Sequence, residues 1–338
     1  MLLMPNFCRH NRLIQNCPIC SREQAVEPRP LLSSSAPRSS LPRTETRSAR
    51  RPSPSGSSRT RAASGSGGPG GLRVRRLARG ADDGYGSGLV PGLRSSDDAR
   101  RLAEELAFAE GRLRRLAGDP PGLYAEVASP DLDVEERIWL AFLTAYLCPV
   151  NGEDPFASIR EVRTSWSDEL PVLDGVALGP RSAHEPGRGA RTLEAYRAWA
   201  ARAGSQLAAI SGEPTWTPQR RFDRAFERLS LPGLHRVARF DFLVTLGCLG
   251  VIELRPATLK LGANDAVTVA AKRAFGIGDT LLLERRAHEL ADVCGLQLAA
   301  LDLGLDNWER GERATIGLGS ADEADGEALR AVLAALTL

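Results

Sequence analysis

The chain contains 338 residues, with 44 Lys and Arg against 42 Asp and Glu, and its charge is unevenly distributed. Because the whole chain carries +2 and residues 1–80 carry +12, residues 81–338 carry −10. The length exceeds one domain of about 100–150 residues, and the longest apolar run, 242–252, is shorter than the ~20 residues that cross a bilayer. We therefore expect neither secretion nor membrane insertion. We predict a cytoplasmic protein, in which cysteines serve as metal ligands or core residues.

A metal-binding motif is the first predicted element and forms the domain 1–21. Cys8, His10, Cys17 and Cys20 have the spacing C-x-H-x6-C-x2-C, and four such ligands meet the tetrahedral requirement of Zn²⁺. Protein side chains fill all four coordination positions, so the predicted zinc is structural. The alternative is four unrelated residues, but the rest of the chain holds only three more cysteines and three more histidines.

A linker follows the metal motif. Residues 22–92 are rich in Arg, Ser, Pro and Gly, a composition that predicts disorder because it cannot form a core. Thirteen arginines lie in 21–80, so this segment either binds the phosphates of a nucleic acid or is a solvated tether.

The remaining domain, 93–338, shows helical periodicity almost throughout, so we predict an all-α fold. Period-two alternation over 251–261 predicts one short extended hairpin within it. Caps and apolar spacing predict helices at about 96–118, 133–146, 191–211, 218–229, 235–249, 265–275, 279–294 and 321–336.

The turn Leu231-Pro232-Gly233 connects two of these helices. A glycine-bearing turn before a helix directs backbone N–H groups outward, which suits the binding of a phosphate. The turn resembles the helix-hairpin-helix of DNA base-excision glycosylases, which commonly reads L-P-G-hydrophobic-G. The resemblance implies a two-lobed helical fold and DNA contacts by Leu231, Gly233, His235 and Arg236. His235 stands where that family has its second glycine.

A second motif of the same family lies at 262–276. It resembles the segment in which a loop delivers a catalytic aspartate to the start of a helix, with Asp265 in that position. Cleavage of an N-glycosidic bond develops positive charge on the sugar, which a carboxylate stabilises. The alternative is that Asp265 only caps its helix, and the two roles are compatible. Because neither lysine of the chain, Lys260 or Lys272, adjoins the hairpin, the resemblance implies a monofunctional enzyme without an imine intermediate.

Five residues are candidates for a base pocket. Tyr146, Asn151 and Asp154 follow an apolar helix, as pocket segments do in the glycosylase fold, although Asn-Gly and Asp-Pro are also ordinary turn sequences. Asn264 precedes the candidate aspartate. Trp308 either stacks on a flipped base or packs in the core under the last helix.

The metal motif combined with this helical body resembles the third clade of bacterial alpha-glutamyl/putrescinyl thymine pyrophosphorylases. The resemblance covers the motif and roughly residues 95–315. It implies a hydrolase of DNA N-glycosyl bonds that excises glucosylated 5-hydroxymethylcytosine or hypermodified thymine from phage DNA in antiviral defence. The alternatives are a transferase that displaces a pyrophosphoryl group from a 5-substituted thymine, and a DNA-binding protein without catalysis. The expected partner is DNA, the expected metal is structural Zn²⁺, and no dinucleotide cofactor is expected.

Overall fold

A computed structural model describes residues 80–262, 264–320 and 324–338 of the protein. Within these ranges the chain forms twelve α-helices and no β-strand, which confirms the predicted all-α class. In chain order they are α1 (Ser96–Gly118), α2 (Leu123–Ala128), α3 (Val134–Leu147), α4 (Ala157–Val162), α5 (Gly189–Arg202), α6 (Gln206–Ser211), α7 (Pro218–Arg228), α8 (Arg236–Cys248), α9 (Ala266–Phe275), α10 (Thr280–Cys294), α11 (Leu298–Arg310) and α12 (Gly326–Leu336).

The predicted metal motif lies outside the described residues, as does the linker up to residue 79. In the part of the chain that is described, no group of three or more His, Cys, Asp and Glu side chains is arranged to hold a metal ion. None of the helices in these same ranges is long and apolar enough to cross a membrane.

The helices pack as two groups. In the first group, α11 packs against α1, α9 and α10, and α12 packs against α1. In the second, α3 packs against α2, α6 and α8, while α7 lies against α6 and α8. The two groups meet where α1 contacts α8. We call this boundary, between α8 on one side and α1 and α11 on the other, the seam.

An aromatic cluster forms the centre of the second group. Phe142 stacks on Tyr196 with ring centroids 3.7 Å apart, and it also contacts Trp139, Tyr146 and Phe242. Polar atoms of these rings form hydrogen bonds inside the core. The Tyr196 hydroxyl, for example, donates to Gln206 Oε1 at 2.7 Å. The cluster therefore buries large apolar surface with few unsatisfied polar atoms.

Capping residues set several helix starts as predicted. Asp133 caps α3 by accepting a hydrogen bond from the Glu135 N–H at 2.9 Å. Thr217 caps α7, in which Pro218 occupies the first position. A side-chain oxygen satisfies one of the N–H groups that the first helical turn leaves unpaired, so these residue types fix helix starts from local chemistry alone.

Two predicted helix boundaries are wrong. The helix predicted over 191–211 is broken in two, because Gly204 adopts φ +91° and Ser205 caps a new helix by accepting from the Ala208 N–H. The last helix begins at Gly326 rather than at residue 321, and its cap is Asp325 instead of Ser320. In both cases a nearby residue with equal or better capping chemistry sets the boundary.

The predicted hairpin over 251–261 is also wrong. This segment lies in the described part of the chain and forms no strand. The N–H groups of Leu259 and Leu261 donate to the two carboxylate oxygens of Glu284, at 2.8 and 2.7 Å, instead of to a neighbouring strand. A side chain of α10 thus accepts the backbone hydrogen bonds that a neighbouring strand would otherwise accept.

The sequence patterns also missed α2, α4 and α11. The most important is α11, in which every residue from Ala299 to Trp308 is buried. Its preceding residue, Gln297, makes no side-chain capping bond. Without a capping side chain, the start of α11 lacks the local signal that marks the predicted helix starts.

Candidate active site

Asp265 caps α9 and is in contact with the first residue of α8. Its Oδ1 accepts a hydrogen bond from the Thr268 N–H at 2.8 Å, and its Oδ2 accepts one from Arg236 Nε. The side chain is 18% exposed, so it lies at the edge of the buried interior. Burial alone raises the pKa of Asp265, but the Arg236 guanidinium and the Thr268 bonds outweigh it and leave the pKa below its usual value. The carboxylate is therefore ionised at neutral pH.

Arg236 is an internal residue, so its predicted role as a side-chain contact to DNA is wrong. Its side chain is only 3% exposed. Besides Asp265, the guanidinium Nη1 donates to the Leu259 carbonyl at 2.8 Å and to Asp302 Oδ2 at 2.7 Å. The carboxylates raise the pKa of Arg236 despite the opposing effect of burial. All of these partners lie inside the protein, so the charge is already neutralised there.

The hairpin turn packs against the start of α5. Gly233 adopts φ +75°, and a Cβ at this position would lie 2.2 Å from Thr192 Oγ1. Glycine is thus required by backbone conformation and by close packing against α5. Leu231 is half-buried and packs against the core. The resemblance explained both residues by contact with DNA, whereas the structure accounts for both by internal packing.

His235 is the predicted hairpin residue that remains accessible. Its side chain is 60% exposed, and Nε2 lies 3.4 Å from Glu185 Oε1. It precedes α8 and forms no side-chain capping bond with it. The N–H groups in the first turn of α8 are consequently not capped by the residue that usually caps a helix start, and they carry the positive end of the helix dipole.

A buried ion network crosses the seam behind this site. Arg181 is fully buried and forms a bidentate pair with Asp241 on α8, at 2.8 and 2.7 Å. On α11, it contacts Asp302 at 2.7 Å and Asp306 at 3.1 Å. Asp302 continues to Arg236, so paired charges connect Asp241 to Asp265 without interruption. We call these six side chains the ion network: Arg181, Arg236, Asp241, Asp265, Asp302 and Asp306.

A small cavity lies at the other end of the network. It measures about 30 Å³ and is lined mainly by apolar side chains of α1, α3, α8 and α11, together with Asp241, Thr144 and Thr245. Burial raises the pKa of Asp241, although its pairing with Arg181 opposes this effect. Two residues that line the cavity, Cys148 and Ile316, adopt positive φ of 56° and 47°, which is uncommon for residues other than glycine. Backbone strain of this kind occurs at functional sites more often than elsewhere.

The five predicted pocket residues do not come together in one place. Asn151 and Asp154 line a surface groove of about 670 Å³. Asn151 holds the wall of this groove, because its amide donates to the Arg313 carbonyl and accepts from Thr315. Asp154 forms an ion pair with Arg160.

Tyr146 and Trp308 lie inside the protein, and only Asn264 is next to Asp265. Tyr146 belongs to the aromatic cluster, and its hydroxyl lies 3.3 Å from His184 Nδ1. Trp308 is buried and donates from Nε1 to the Asp98 carbonyl, while Arg273 covers its ring. Of the two alternatives for Trp308, the structure therefore bears out packing in the core. Asn264 is exposed beside the candidate aspartate.

Sequence patterns missed four of the six residues of the network, namely Arg181, Asp241, Asp302 and Asp306. One signal was present in α11. Asp302 and Asp306 are four residues apart in a run that is otherwise apolar, so both lie on the same face of a buried helix. Acidic residues are almost never fully buried without partners, so this spacing indicates buried cations nearby. The partner, Arg181, lies in a loop of Gly, Pro and Ser and gave no signal of its own.

Comparisons of the chain with models of protein families, with curated proteins and with solved structures found no match. The family resemblances therefore rest on the motifs alone.

Proposed function

We propose that the protein is a monofunctional DNA glycosylase that excises a bulky modified pyrimidine and leaves an abasic site. The observation that carries this proposal is the contact between Asp265 and Arg236, residues 29 positions apart in the chain. It brings the start of α9 against the start of the second hairpin helix. A helix start that holds a phosphate and a carboxylate beside the sugar have to adjoin each other for this reaction, because the geometry of the reacting groups must be fixed.

The charge state of Asp265 suits one role in this reaction. An ionised carboxylate with a lowered pKa is a weak base, so it stabilises developing positive charge better than it removes a proton. In the proposed step the C1′–N bond breaks and its electron pair leaves with the base, which gains a proton. The oxygen of a water molecule bonds to C1′ and releases a proton to solvent.

The proposed phosphate contact is at the start of α8. His235 supplies an exposed side chain there, and the first turn of the helix supplies N–H groups. Contacts of this kind fix the position of DNA without reading its sequence. Selectivity then depends on the pocket that receives the flipped base.

The proposed substrate class follows from the resemblance to the thymine pyrophosphorylase clade: glucosylated 5-hydroxymethylcytosine or hypermodified thymine in phage DNA, attacked in the bacterial cytoplasm. The proposal includes a structural Zn²⁺ held by Cys8, His10, Cys17 and Cys20. Three thiolates and one imidazole are a donor set that fits this ion. The arginines of the linker would add affinity for DNA that is independent of sequence.

The test is to incubate the purified full chain with DNA that carries each of these modified bases and then to heat the DNA in alkali, which breaks it at abasic sites. We expect strand breaks with the native protein and a loss of about 100-fold or more in Asp265→Asn, the scale typical of a lost charge-stabilising group. Asp279→Asn is the matched control, because Asp279 caps α10 in the same way but belongs to the neighbouring helix. It should retain full activity.

The other outcomes identify the alternatives. A modified base of changed mass without abasic sites would indicate a transferase. Binding of DNA with no chemical change would indicate a protein that only binds DNA. Equal activity of Asp265→Asn and the native protein would refute the role of Asp265.

A further inference from the structure

Asp302 joins the two arginines of the ion network. It lies on α11, and its side chain is almost completely buried. Its Oδ2 accepts from Arg236 Nη1 and its Oδ1 accepts from Arg181 Nη2, each at 2.7 Å. Each oxygen therefore binds a different guanidinium. Charge-assisted bonds of this length are among the strongest in proteins and have defined directions.

These bonds restrict the orientation of Arg236. Its Nη1 is held from two sides, by Asp302 and by the Leu259 carbonyl, and this leaves Nε directed at Asp265. An arginine side chain has several rotatable bonds and loses its orientation readily when its anchors are removed. Of the two anchors on Nη1, only Asp302 carries charge.

We propose that Asp302 is the positioning residue of the candidate site and that it holds Arg236 in the orientation in which Nε meets Asp265. The catalytic consequence rests on the proposed glycosylase function. The geometric consequence does not, because it concerns only the contact between Arg236 and Asp265.

A purely electrostatic role for Asp302 predicts a change in the pKa of Asp265 opposite to the change that a positioning role predicts. The charged groups around the site are Arg236, which touches Asp265, and Arg239, one turn further along α8. Behind Arg236 lie Asp302, Arg181, Asp241 and Asp306. If Asp302 acted only by its charge, removal of this anion would make it easier for Asp265 to ionise and would lower its pKa. If Asp302 positions Arg236, its removal weakens the Arg236–Asp265 contact and raises that pKa.

The experiment is a carboxyl NMR titration of Asp265 in the full chain, with selective aspartate labelling and with Asp265→Asn to assign its signal. In Asp302→Asn we expect the pKa of Asp265 to rise by about one unit, part of the effect that a neighbouring cation exerts. Asp306→Asn is the matched control, because Asp306 lies four residues further on the same helix and contacts Arg181 and Arg310 rather than Arg236. It should leave the pKa unchanged or slightly lower. A fall or no change in Asp302→Asn would overturn the proposal.

Arg236→Lys provides a second route if Asp302→Asn fails to fold. Lysine keeps the charge but has a single nitrogen, which cannot donate to Asp265 and to Asp302 in the two separate directions that the guanidinium provides. The positioning role predicts the same rise in the pKa of Asp265, whereas a role of charge alone predicts no change, and that result would refute the proposal.

Activity separates this inference from the proposed function. In an active protein, Asp302→Asn should reduce kcat for base excision about 100-fold, the scale of a small misplacement of a reacting group, with little change in KM for DNA. If the native protein excises no base, the glycosylase proposal fails, and the titration still decides whether Asp302 positions Arg236.

Discussion

The aromatic cluster and the ion network are both buried, but different forces hold them in place. In the cluster, Phe142 contacts four other rings, and dispersion contacts of this kind are individually weak and add up over many atom pairs. In the network, Arg181 alone binds three carboxylates in the interior of the protein. Burial of charges carries a desolvation cost that pairing only partly offsets, so such a network is weak evidence of a purely stabilising role. The seam is therefore the part of the fold in which burial of apolar surface does not explain the residues present.

The largest expected effect of a single substitution comes from Arg181→Met. It leaves Asp241, Asp302 and Asp306 without their shared cation, so we expect the free energy of unfolding to fall by about 3–5 kcal/mol. Denaturation in urea at pH 7 measures this loss. A change below about 1 kcal/mol would show that the network tolerates unpaired charge and would remove the contrast with the aromatic cluster.

Gly233→Ala tests whether the close packing of the hairpin turn against Thr192 contributes to stability. Positive φ costs an alanine about 1–2 kcal/mol, and the close approach of Thr192 should increase the loss. Gly250→Ala is the matched control, since Gly250 also has positive φ but has open space around its Cα. Urea denaturation of both variants should show the larger loss for Gly233→Ala. Equal losses would mean that Thr192 moves away without cost.

Phe142→Leu should have a smaller effect, of about 1.5 kcal/mol, because neighbouring rings can repack around another apolar side chain. The same urea measurement applies, and the slope of the transition should not change. A loss as large as that of Arg181→Met would contradict the view that the cluster is the more tolerant region.

The smallest effect is a pH dependence at the edge of the network. The pKa of Asp265 is lower in the folded protein than its usual value of 3.8, so its ionised form favours folding. This contribution is complete above pH 3.8 and is lost as the pH falls through the lower folded value. The difference in unfolding free energy between the native protein and Asp265→Asn should therefore shrink on acidification below about pH 4. Asn can still cap a helix, so the variant mainly removes the pairing with Arg236.

An unchanged difference over that range would mean that Arg236 does not hold Asp265 in solution. Asp279→Asn serves as the control for capping, since Asp279 accepts from the Leu282 N–H as Asp265 does from the Thr268 N–H.

Local signals were sufficient for elements whose ends are set by nearby residues. Thr217 with Pro218 fixed the start of α7, and Asp265 was correctly placed at the start of α9, because a cap acts within three residues of its own position. Local signals failed for α11, which has no capping side chain, and for 251–261, whose backbone donates hydrogen bonds to Glu284 of another helix. Both failures have the same cause, since the stabilising partner is distant in the chain.

The sequence by itself determined the all-α class, most helix starts and the placement of Asp265 at the start of a helix. Only the tertiary structure decided that Arg236 turns inward to this aspartate, that Gly233 serves packing against Thr192, and that Trp308 is a core residue. The physical reason is the range of the forces involved. Caps and periodicity act over a few residues, whereas the pairing of buried charges depends on which helices meet at the seam.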